Sequence, residues 1–276
     1  MSSGYRGEDL LVSTAWLADR LGTKDLVLID AGQPDAYSRV HIPGAVGVPH
    51  PYLKGKTNKL LVMAEDEFEA LARRMGISND TPVIVYDDNA SLHAARVWWV
   101  FQLYGHGDVR VVDGGFNAWL EEGRPITSKV PRPEPGAFGA RRDESVLVTL
   151  AELRGLVEGG KAPAIWDTRS DEEWKGTESR GNRRVGRVPG AKHLEWRHLM
   201  QGPPARRFRP RDQIRKGLLD AGIDPAAEAI TYCQAGIRGA FGHFIFRLLG
   251  GERVRNYDGS MGEWANEPDT PLTLEG

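Results

Sequence analysis

The chain has 276 residues, 40% of them hydrophobic and 27% charged, with a formal net charge of −2. This composition is typical of a globular chain of one or two domains, and the near-neutral charge argues against nucleic acid or an anionic membrane surface as a partner. One cysteine excludes an internal disulfide and a cysteine-rich zinc site. We recognise neither a signal peptide nor an apolar run long enough to cross a bilayer, so we expect a cytoplasmic protein.

Apolar segments that favour β-strands alternate along the chain with segments that favour helices. The predicted strands are 26–30, 83–87, 162–167 and 229–233, and the clearest predicted helices are 65–76, 210–222 and 239–251. Short apolar runs are typical of buried parallel strands, and their alternation with helices indicates an α/β fold with a mostly parallel sheet flanked by helices.

The two halves of the sequence repeat one another. The segment "HIPGA" (41–45) matches "RVPGA" (187–191), and "VIVYD" (83–87) matches "AITYC" (229–233), in both cases 146 residues apart. A repeat of this length indicates a duplicated domain, because solenoid repeats span only about 20–50 residues. The second match aligns Asp87 with Cys233, the only cysteine of the chain.

The spacing of the repeats also locates an insertion and a linker. Asp30 and Asp167 are only 137 residues apart, so the second half carries about nine extra residues, in or near 176–184. The segment 128–145 is rich in proline and glycine and lacks periodicity, as a linker does. We predict an N-terminal domain over 1–130, a linker over 131–145 and a C-terminal domain over 146–276.

Cys233 ends a predicted buried strand, and a short loop connects it to the helix 239–251. N–H groups at such a strand-to-helix turn point inward and, with the helix dipole, favour an anion at the centre of the loop. If that anion is the Cys233 thiolate, the residue becomes a nucleophile at neutral pH, and Arg238 adds a positive charge. Asp87 occupies the cysteine position in the first half, which therefore lacks a nucleophile.

Seven segments together resemble the tandem-domain rhodanese family, sulfurtransferases of the thiosulfate or 3-mercaptopyruvate type. In chain order they are "HIPGA", "AARVWW" (94–99), "DGGFNAW" (113–119), "DTRSDEEWKG" (167–176), "RVPGA", "YCQAGIRG" (232–239) and "DGSMGEW" (258–264). The resemblance implies two rhodanese-like domains of one fold, an inactive N-terminal copy and a catalytic C-terminal copy. The aspartate at position 87 agrees with this, because a carboxylate cannot carry sulfane sulfur.

The resemblance also implies the reaction. Cys233 attacks the outer sulfur of a small anionic donor and becomes a persulfide, and cyanide or another thiol acceptor then removes that sulfur. The charged sulfur is stabilised by the loop residues Gln234, Ala235, Gly236, Ile237, Arg238 and Gly239. The family needs no metal or organic cofactor. Because the chain has no second cysteine, the acceptor comes from outside.

Both donor types are anions, so we expect cationic side chains in the binding pocket. The candidates are Arg183, Arg184 and Arg187 from the insertion and its edge, Arg96 from the first domain, and Arg238. We favour thiosulfate because a charged arginine at the end of the loop suits a compact dianion, with 3-mercaptopyruvate as the alternative. Glu173 departs from the animal-type pattern, which has an arginine at this position.

Four further residues are assigned supporting roles. Asp167 and Arg169 are expected to connect the loops around the site through charge-assisted hydrogen bonds, and Glu195 and Trp196 are expected to line it. The basic run 203–216 contains one aromatic residue, so we predict a solvated surface and not a nucleic-acid site.

Two other functions remain open. A cysteine-dependent phosphatase of the same fold places its arginine six positions after the cysteine, whereas Arg238 follows Cys233 by five. A non-catalytic persulfide carrier is also compatible with the fold, since one copy has lost its nucleophile. The intact cysteine loop in the second copy favours an enzyme.

Overall fold

The computed structural model describes residues 10–23 and 25–274, and their contacts divide the chain into two compact units. Unit 1 runs to Asp143 and includes Met200–Phe208, and unit 2 comprises Glu144–Leu199 and the residues from Arg209 onward. Most of the predicted linker 131–145, namely residues 131–143, belongs to unit 1 and is bonded to it: the N–H of Gly136 donates to the carbonyl of Arg73 at 2.8 Å. The domain boundaries remain predictions.

Unit 1 contains a parallel five-stranded sheet with the strand order β1-β5-β4-β2-β3. Its strands are β1 (Leu11–Val12), β2 (Val27–Asp30), β3 (Val46–Gly47), β4 (Val83–Tyr86) and β5 (Val109–Val112). Its helices are α1 (Thr14–Ala18), α2 (Pro34–Arg39), α3 (Glu65–Arg74), α4 (Leu92–Leu103) and α5 (Gly115–Glu121).

Unit 2 repeats this topology with the order β6-β10-β9-β7-β8, again parallel. Its strands are β6 (Leu147–Val148), β7 (Ala164–Asp167), β8 (Lys192–His193), β9 (Ala229–Tyr232) and β10 (Val254–Tyr257). Its helices are α6 (Leu150–Glu158), α7 (Asp171–Lys175), α8 (Arg211–Asp220), α9 (Ile237–Leu248) and α10 (Ser260–Trp264), with short 3₁₀ turns at Glu144–Val146 and Trp196–Leu199.

The predicted α/β fold is confirmed, and each predicted strand and helix is present with its ends shifted by a few residues at most. The helix after the cysteine begins at Ile237 instead of residue 239. The reason is Gly236, whose φ of +77° lets the chain turn directly from the loop into the helix.

The helix α9 fixes the position of the cysteine loop because it lies inside unit 2. Its side chains are buried on nearly every side, which explains its apolar sequence, and it packs on β9 and β10. On the other face of the sheet, Ile230, Tyr232, Tyr257 and Trp264 form one buried cluster. Each such side chain contributes roughly 1.5–3 kcal/mol on burial, so the strand that ends at the cysteine is firmly held.

The duplication extends to single hydrogen bonds. His41 forms an isolated antiparallel bridge with Thr127, and Arg187 forms the same bridge with Thr273 in unit 2. Both residues lie in the repeated "PGA" segments, so these segments close equivalent loops. Within the described part of the chain, we find no helix with the length and apolar character that a bilayer span requires.

Candidate active site

Cys233 is 1% exposed and follows directly on the last residue of β9. Its backbone is held by the first two residues of α10. The Cys233 carbonyl accepts the N–H of Met261 at 3.0 Å, and the Cys233 N–H donates to Oγ of Ser260 at 3.0 Å. The sulfur atom therefore has a defined position before any substrate arrives.

The side chain of Ser260 connects the two ends of the cysteine loop by hydrogen bonds, and sequence reasoning missed this residue. Its Oγ also accepts the N–H of Gly236 at 3.0 Å, donates to the carbonyl of Tyr257 at 2.8 Å and lies 3.9 Å from Sγ of Cys233. Its φ is +52°, the same value as in Gly115, the equivalent residue of unit 1. A serine in this strained conformation is explained by its hydroxyl group. The change from "DGG" to "DGS" between the repeats was the available signal.

We predict that Ser260→Ala lowers the free energy of unfolding by about 1–3 kcal/mol, because it leaves the buried N–H groups of Cys233 and Gly236 without their acceptor. Urea unfolding measures this loss. Ser260→Gly is the matched variant, since glycine adopts the positive φ without strain and recovers roughly 0.5–1 kcal/mol relative to alanine. Unchanged stability of Ser260→Ala would contradict the role assigned to the hydroxyl.

The equivalent loop of unit 1 holds an anion of its own. Oδ1 of Asp87 accepts the N–H groups of Asn89 and Ser91 at 2.9 Å each, and Oδ2 accepts those of His93 and Ala94 at 2.7 and 2.8 Å. Burial raises the pKa of Asp87, and His93 and the N–H groups oppose this rise. All four contacts are donors, so the loop is built to hold negative charge at its centre.

The two loops differ in length by one residue. Equivalent residues of the strands before the two loops are 146 residues apart. In the helix after the unit 1 loop, the N–H of Ala95 donates to the carbonyl of Ser91, and in unit 2 the N–H of Ala240 donates to the carbonyl of Gly236. These two equivalent bonds are 145 residues apart. The unit 2 loop is therefore one residue shorter. On this alignment Arg238 and Gly239 correspond to His93 and Ala94 of unit 1. Their N–H groups lie in the first turn of α9, where no intrahelical acceptor exists.

Arg238 differs from our expectation of a positive charge available to the donor. Its Nη1 and Nη2 donate to the two carboxylate oxygens of Glu173 at 2.5 and 2.8 Å, and Glu173 is 1% exposed. Burial alone raises the pKa of Glu173, but the hydrogen bonds and charge of Arg238 outweigh it, so this pKa is lowered. The acidic residue at the expected arginine position thus neutralises the arginine of the loop.

Asp167 and Arg169 form a second buried pair beside the site. Nε of Arg169 donates to Oδ2 of Asp167 at 2.9 Å and Nη2 donates to the same atom at 2.7 Å. Nη2 also reaches the carbonyl of Gly186 at 3.0 Å, and the Tyr232 hydroxyl donates to Asp167 at 2.5 Å. These bonds connect the ends of β7 and β9 to the chain after the insertion.

In unit 1 the same position holds a carboxylate without its arginine. Asp30 corresponds to Asp167, Gly32 corresponds to Arg169, and Asp30 is only 6% exposed. Burial raises the pKa of Asp30 from 3.8 to about 6, although bonds from Tyr86 and Gly32 lower it. Because the folded state favours the neutral carboxyl, the associated stability is present below about pH 4 and is lost as the pH rises through about 6.

We therefore predict that Asp30→Asn stabilises the chain at pH 7 by up to roughly 3 kcal/mol, with no gain near pH 4. Asparagine keeps an acceptor for the Gly32 N–H and lacks the buried charge. Urea unfolding of Asp30→Asn and of the unchanged protein at several pH values between 4 and 7 measures the difference in their free energies of unfolding. Asp35→Asn, a change at a side chain that is 74% exposed, is the control and shows no such trend. A pH-independent difference for Asp30→Asn would contradict the prediction.

The other predicted arginines have varied surroundings. Arg184 donates to the carbonyls of Trp264, Ala265, Glu267 and Thr270, so its guanidinium closes the end of α10. Arg187 lies 3.9 Å from the ring centre of Trp174, is buried, and donates to the carbonyl of that residue. Both are occupied by unit 2 itself, and neither is presented to a ligand.

Arg183 and Arg96 are also placed differently from each other. Arg183 is exposed, and its backbone N–H donates to Oδ1 of Asn266. Arg96 is fully buried within unit 1, where its Nε donates to the carbonyl of Tyr52 at 2.9 Å. Arg183 therefore remains a candidate for donor binding, whereas Arg96 is held in the interior of its own unit.

Sequence reasoning missed two further residues of the insertion. Asn182 and the loop residue Gln234 exchange a pair of amide hydrogen bonds at 3.0 and 2.9 Å, which fastens the insertion to the cysteine loop. Arg180 is exposed, and its Nε lies 3.8 Å from Oε1 of Glu173. Arg180 is thus an exposed cation beside the buried pair of Arg238 and Glu173.

Glu195 and Trp196 lie next to the end of β7. The Trp196 N–H donates to the carbonyl of Thr168 at 3.3 Å, and its ring, 4% exposed, packs edge-on against Phe241. Oε1 of Glu195 lies 3.9 Å from Nε of Arg197, and its side chain is 18% exposed. Trp196 is a core residue by these contacts, and Glu195 remains partly accessible.

One group of side chains has the spacing of metal ligands. Ligand atoms of Asp171, Glu195 and His198 all lie within 4.8 Å of one another. Asp171 and His198 are exposed, so water competes with the protein for these positions. We assign no metal to this group.

The sequence matches a known family model, described as "Rhodanese-like domain", twice, over residues 13–122 and 149–267. The chain is 34% identical to the thiosulfate sulfurtransferase of Corynebacterium glutamicum, covering 97% of this chain and 91% of that protein. It is 33% identical to the sulfur carrier protein TtuD of Thermus thermophilus, covering 98% of each. These likenesses extend through both units.

A solved structure has the same fold. The 3-mercaptopyruvate sulfurtransferase SseA of Escherichia coli superposes with a TM-score of 0.81, covering 91% of this chain and 98% of that one. The sequence identity is 24%, so this likeness bears on the fold alone.

Proposed function

Because the chain belongs to the rhodanese family, with two copies of its domain, we propose that it carries sulfane sulfur on Cys233 as a persulfide. Thiosulfate is the proposed donor, and cyanide or a thiol is the proposed acceptor. Unit 2 is the catalytic copy in this proposal, and Asp87 makes unit 1 inactive. We also propose a cytoplasmic location, in keeping with a chain that has a single cysteine.

The observation that supports the proposal most strongly is the bound carboxylate of unit 1. The oxygens of Asp87 are two bonds from Cβ, and so is the outer sulfur of a cysteine persulfide. In unit 1 the first-turn N–H groups of His93 and Ala94 donate to such an atom. The equivalent groups of Arg238 and Gly239 are therefore the donors that we expect for the outer sulfur on Cys233. Backbone donors at a helix N-terminus stabilise this charge without a metal ion.

The proposed reaction has two displacements at sulfur. The Cys233 thiolate attacks the outer sulfur of thiosulfate, the sulfur–sulfur bond of the donor breaks, and sulfite leaves with the electron pair. Cyanide then attacks the outer sulfur of the persulfide, thiocyanate leaves, and the thiolate is restored. No net oxidation of the protein occurs over the cycle.

Different arginines from the one in the loop favour thiosulfate as the donor. The charge of Arg238 is matched by Glu173, so the fixed arginine of the loop no longer favours a dianion by itself. The exposed Arg180 and Arg183 supply cations from the insertion instead. The likeness to a thiosulfate sulfurtransferase favours thiosulfate, and the alternative donor is 3-mercaptopyruvate. The likeness to a sulfur carrier keeps a carrier role as the second candidate, with the same persulfide.

Intact-protein mass spectrometry tests the proposal directly. After treatment with thiosulfate, the chain is expected to gain one sulfur, about 32 Da, which cyanide removes. Cys233→Ala is the control and gains nothing, because the chain has no other cysteine. No gain with either thiosulfate or 3-mercaptopyruvate would overturn the proposal. Loading without turnover toward cyanide or small thiols would favour the carrier role.

A further inference from the structure

A cavity of about 250 Å³ opens at the carboxyl end of β2 in unit 1. Its lining includes the residues Asp30, Gly32, Tyr37, Val40, Asp88 and Phe116. The walls combine one buried carboxylate, one exposed carboxylate and two aromatic rings. The proposed sulfur transfer assigns no role to this cavity.

The equivalent space in unit 2 is occupied by an arginine. Arg169 corresponds to Gly32, and its guanidinium forms the paired hydrogen bonds to Asp167 and the bond to the carbonyl of Gly186. Val40, which lines the cavity of unit 1, is the counterpart of Gly186. Unit 2 thus shows which chemical group this framework accepts beside its strand-end aspartate.

The insertion covers the same region in unit 2 and is missing from unit 1. Asn182 of the insertion bonds to Gln234, the counterpart of Asp88, and Arg184 bonds to the carbonyl of Ala265, the counterpart of Leu120. Asp88 and Leu120 both line the cavity of unit 1. The cavity therefore exists because unit 1 lacks both the arginine side chain and about nine residues that cover it.

The electrostatics of the cavity favour a cation. Within residues 10–23 and 25–274, Asp30 forms no ion pair, and its contacts are the Gly32 N–H at 2.7 Å and the Tyr86 hydroxyl. The charges that act on it most strongly are the carboxylates of Asp88 and Asp87. A buried carboxylate without a cationic partner is costly, so a cation that enters the cavity is stabilised.

We propose that this cavity of unit 1 binds a guanidinium group, which takes the place that the Arg169 side chain takes in unit 2. The planar group donates two parallel hydrogen bonds to Asp30, and the apolar side chains of Val40 and Phe116 line the cavity beside it. At the rim, Arg39 is already paired with Asp35 at 3.4 Å, so its charge is partly balanced. The guanidinium comes from a small molecule or from an arginine side chain of a peptide.

Titration calorimetry on the full chain at neutral pH tests the proposal with three probes. Free L-arginine represents a small guanidinium compound, and an N-acetylated, C-amidated Gly-Arg-Gly peptide represents an arginine side chain. L-citrulline is the neutral control of nearly the same shape. We expect arginine or the peptide to bind and citrulline to bind at least about tenfold more weakly, since only the guanidinium forms a charged pair with Asp30.

Two variants locate the site. Asp30→Asn is expected to weaken binding by about tenfold or more, while Asp66→Asn, at an exposed carboxylate that does not line the cavity, leaves it unchanged. Gly32→Arg recreates the pair of unit 2 within unit 1 and is expected to abolish binding by filling the cavity. The thermal midpoint of unfolding, followed by circular dichroism, serves as the folding control for all three variants.

The outcomes separate clearly. Binding of free arginine as tight as that of the peptide identifies a small guanidinium compound as the ligand, and binding of the peptide alone identifies an arginine-bearing segment. Equal binding of arginine and citrulline, binding that survives Asp30→Asn, or no binding of either guanidinium probe at millimolar concentration would overturn the proposal. None of these results depends on whether Cys233 transfers sulfur.

Discussion

Cys233→Ser is expected to reduce sulfur transfer by at least roughly a thousandfold, because the hydroxyl group is a far weaker nucleophile than a thiolate and forms no persulfide. The measurement is thiocyanate production from thiosulfate and cyanide, with 3-mercaptopyruvate as a second donor. The chain holds no other cysteine that could take over the sulfur. Residual turnover near the level of the unchanged protein would remove Cys233 from the reaction.

Cys233→Asp is the matched variant, since unit 1 already carries this residue in its loop. The carboxylate of Asp87 accepts four N–H groups there, so the folded state tolerates a carboxylate at this position. We expect Cys233→Asp to be inactive and to keep a thermal midpoint close to that of Cys233→Ser. Strong destabilisation by aspartate alone would show that the shorter loop of unit 2 does not hold an anion as that of unit 1 does.

The sequence was sufficient to predict the fold and the location of the cysteine loop, for a physical reason. Buried parallel strands have short apolar runs that are visible without coordinates, and the duplication aligned Cys233 with Asp87. The length difference between the loops was less accessible. The segments "DGGFNAW" and "DGSMGEW" are 145 residues apart, so the sequence shows that one residue is missing somewhere after Cys233. The helix bonds of Ala95 and Ala240 place this difference in the loop.

The charge state of the loop could not be predicted from the sequence. Glu173 was visible as a departure from the family pattern, but Arg238 lies 65 residues away, and only the fold shows that the two side chains meet. Ser260 was missed for a similar reason, since the meaning of its hydroxyl depends on a backbone turn beside Cys233. Contacts that are distant in sequence decide this site.

Arg238→Met is expected to lower the free energy of unfolding by up to about 3–5 kcal/mol at neutral pH. It removes both hydrogen bonds of Arg238 from the carboxylate of Glu173, which has no exposed side-chain surface and keeps only the more distant Arg180 at 3.8 Å. The pKa of Glu173 is lowered in the folded protein, so the pair stabilises the fold above about pH 4.5. This contribution is lost as the pH falls through the lowered pKa. Urea unfolding at neutral pH and below about pH 4.5 is therefore expected to show a smaller difference in the free energy of unfolding between Arg238→Met and the unchanged protein at the acidic pH.

The double variant Arg238→Met with Glu173→Met tests whether the loss of stability comes from the charge that the single variant leaves unpaired. Removing both charges together is expected to recover most of the loss, since no buried charge remains unpaired. Arg197→Met is the control, because Arg197 is 63% exposed beside Glu195 and its pair contributes less than about 1 kcal/mol.

Glu173→Gln is expected to lower the KM for thiosulfate by freeing the charge of Arg238 next to the loop. A KM that does not change would mean that Arg238 holds the loop in shape and takes no part in attracting the donor.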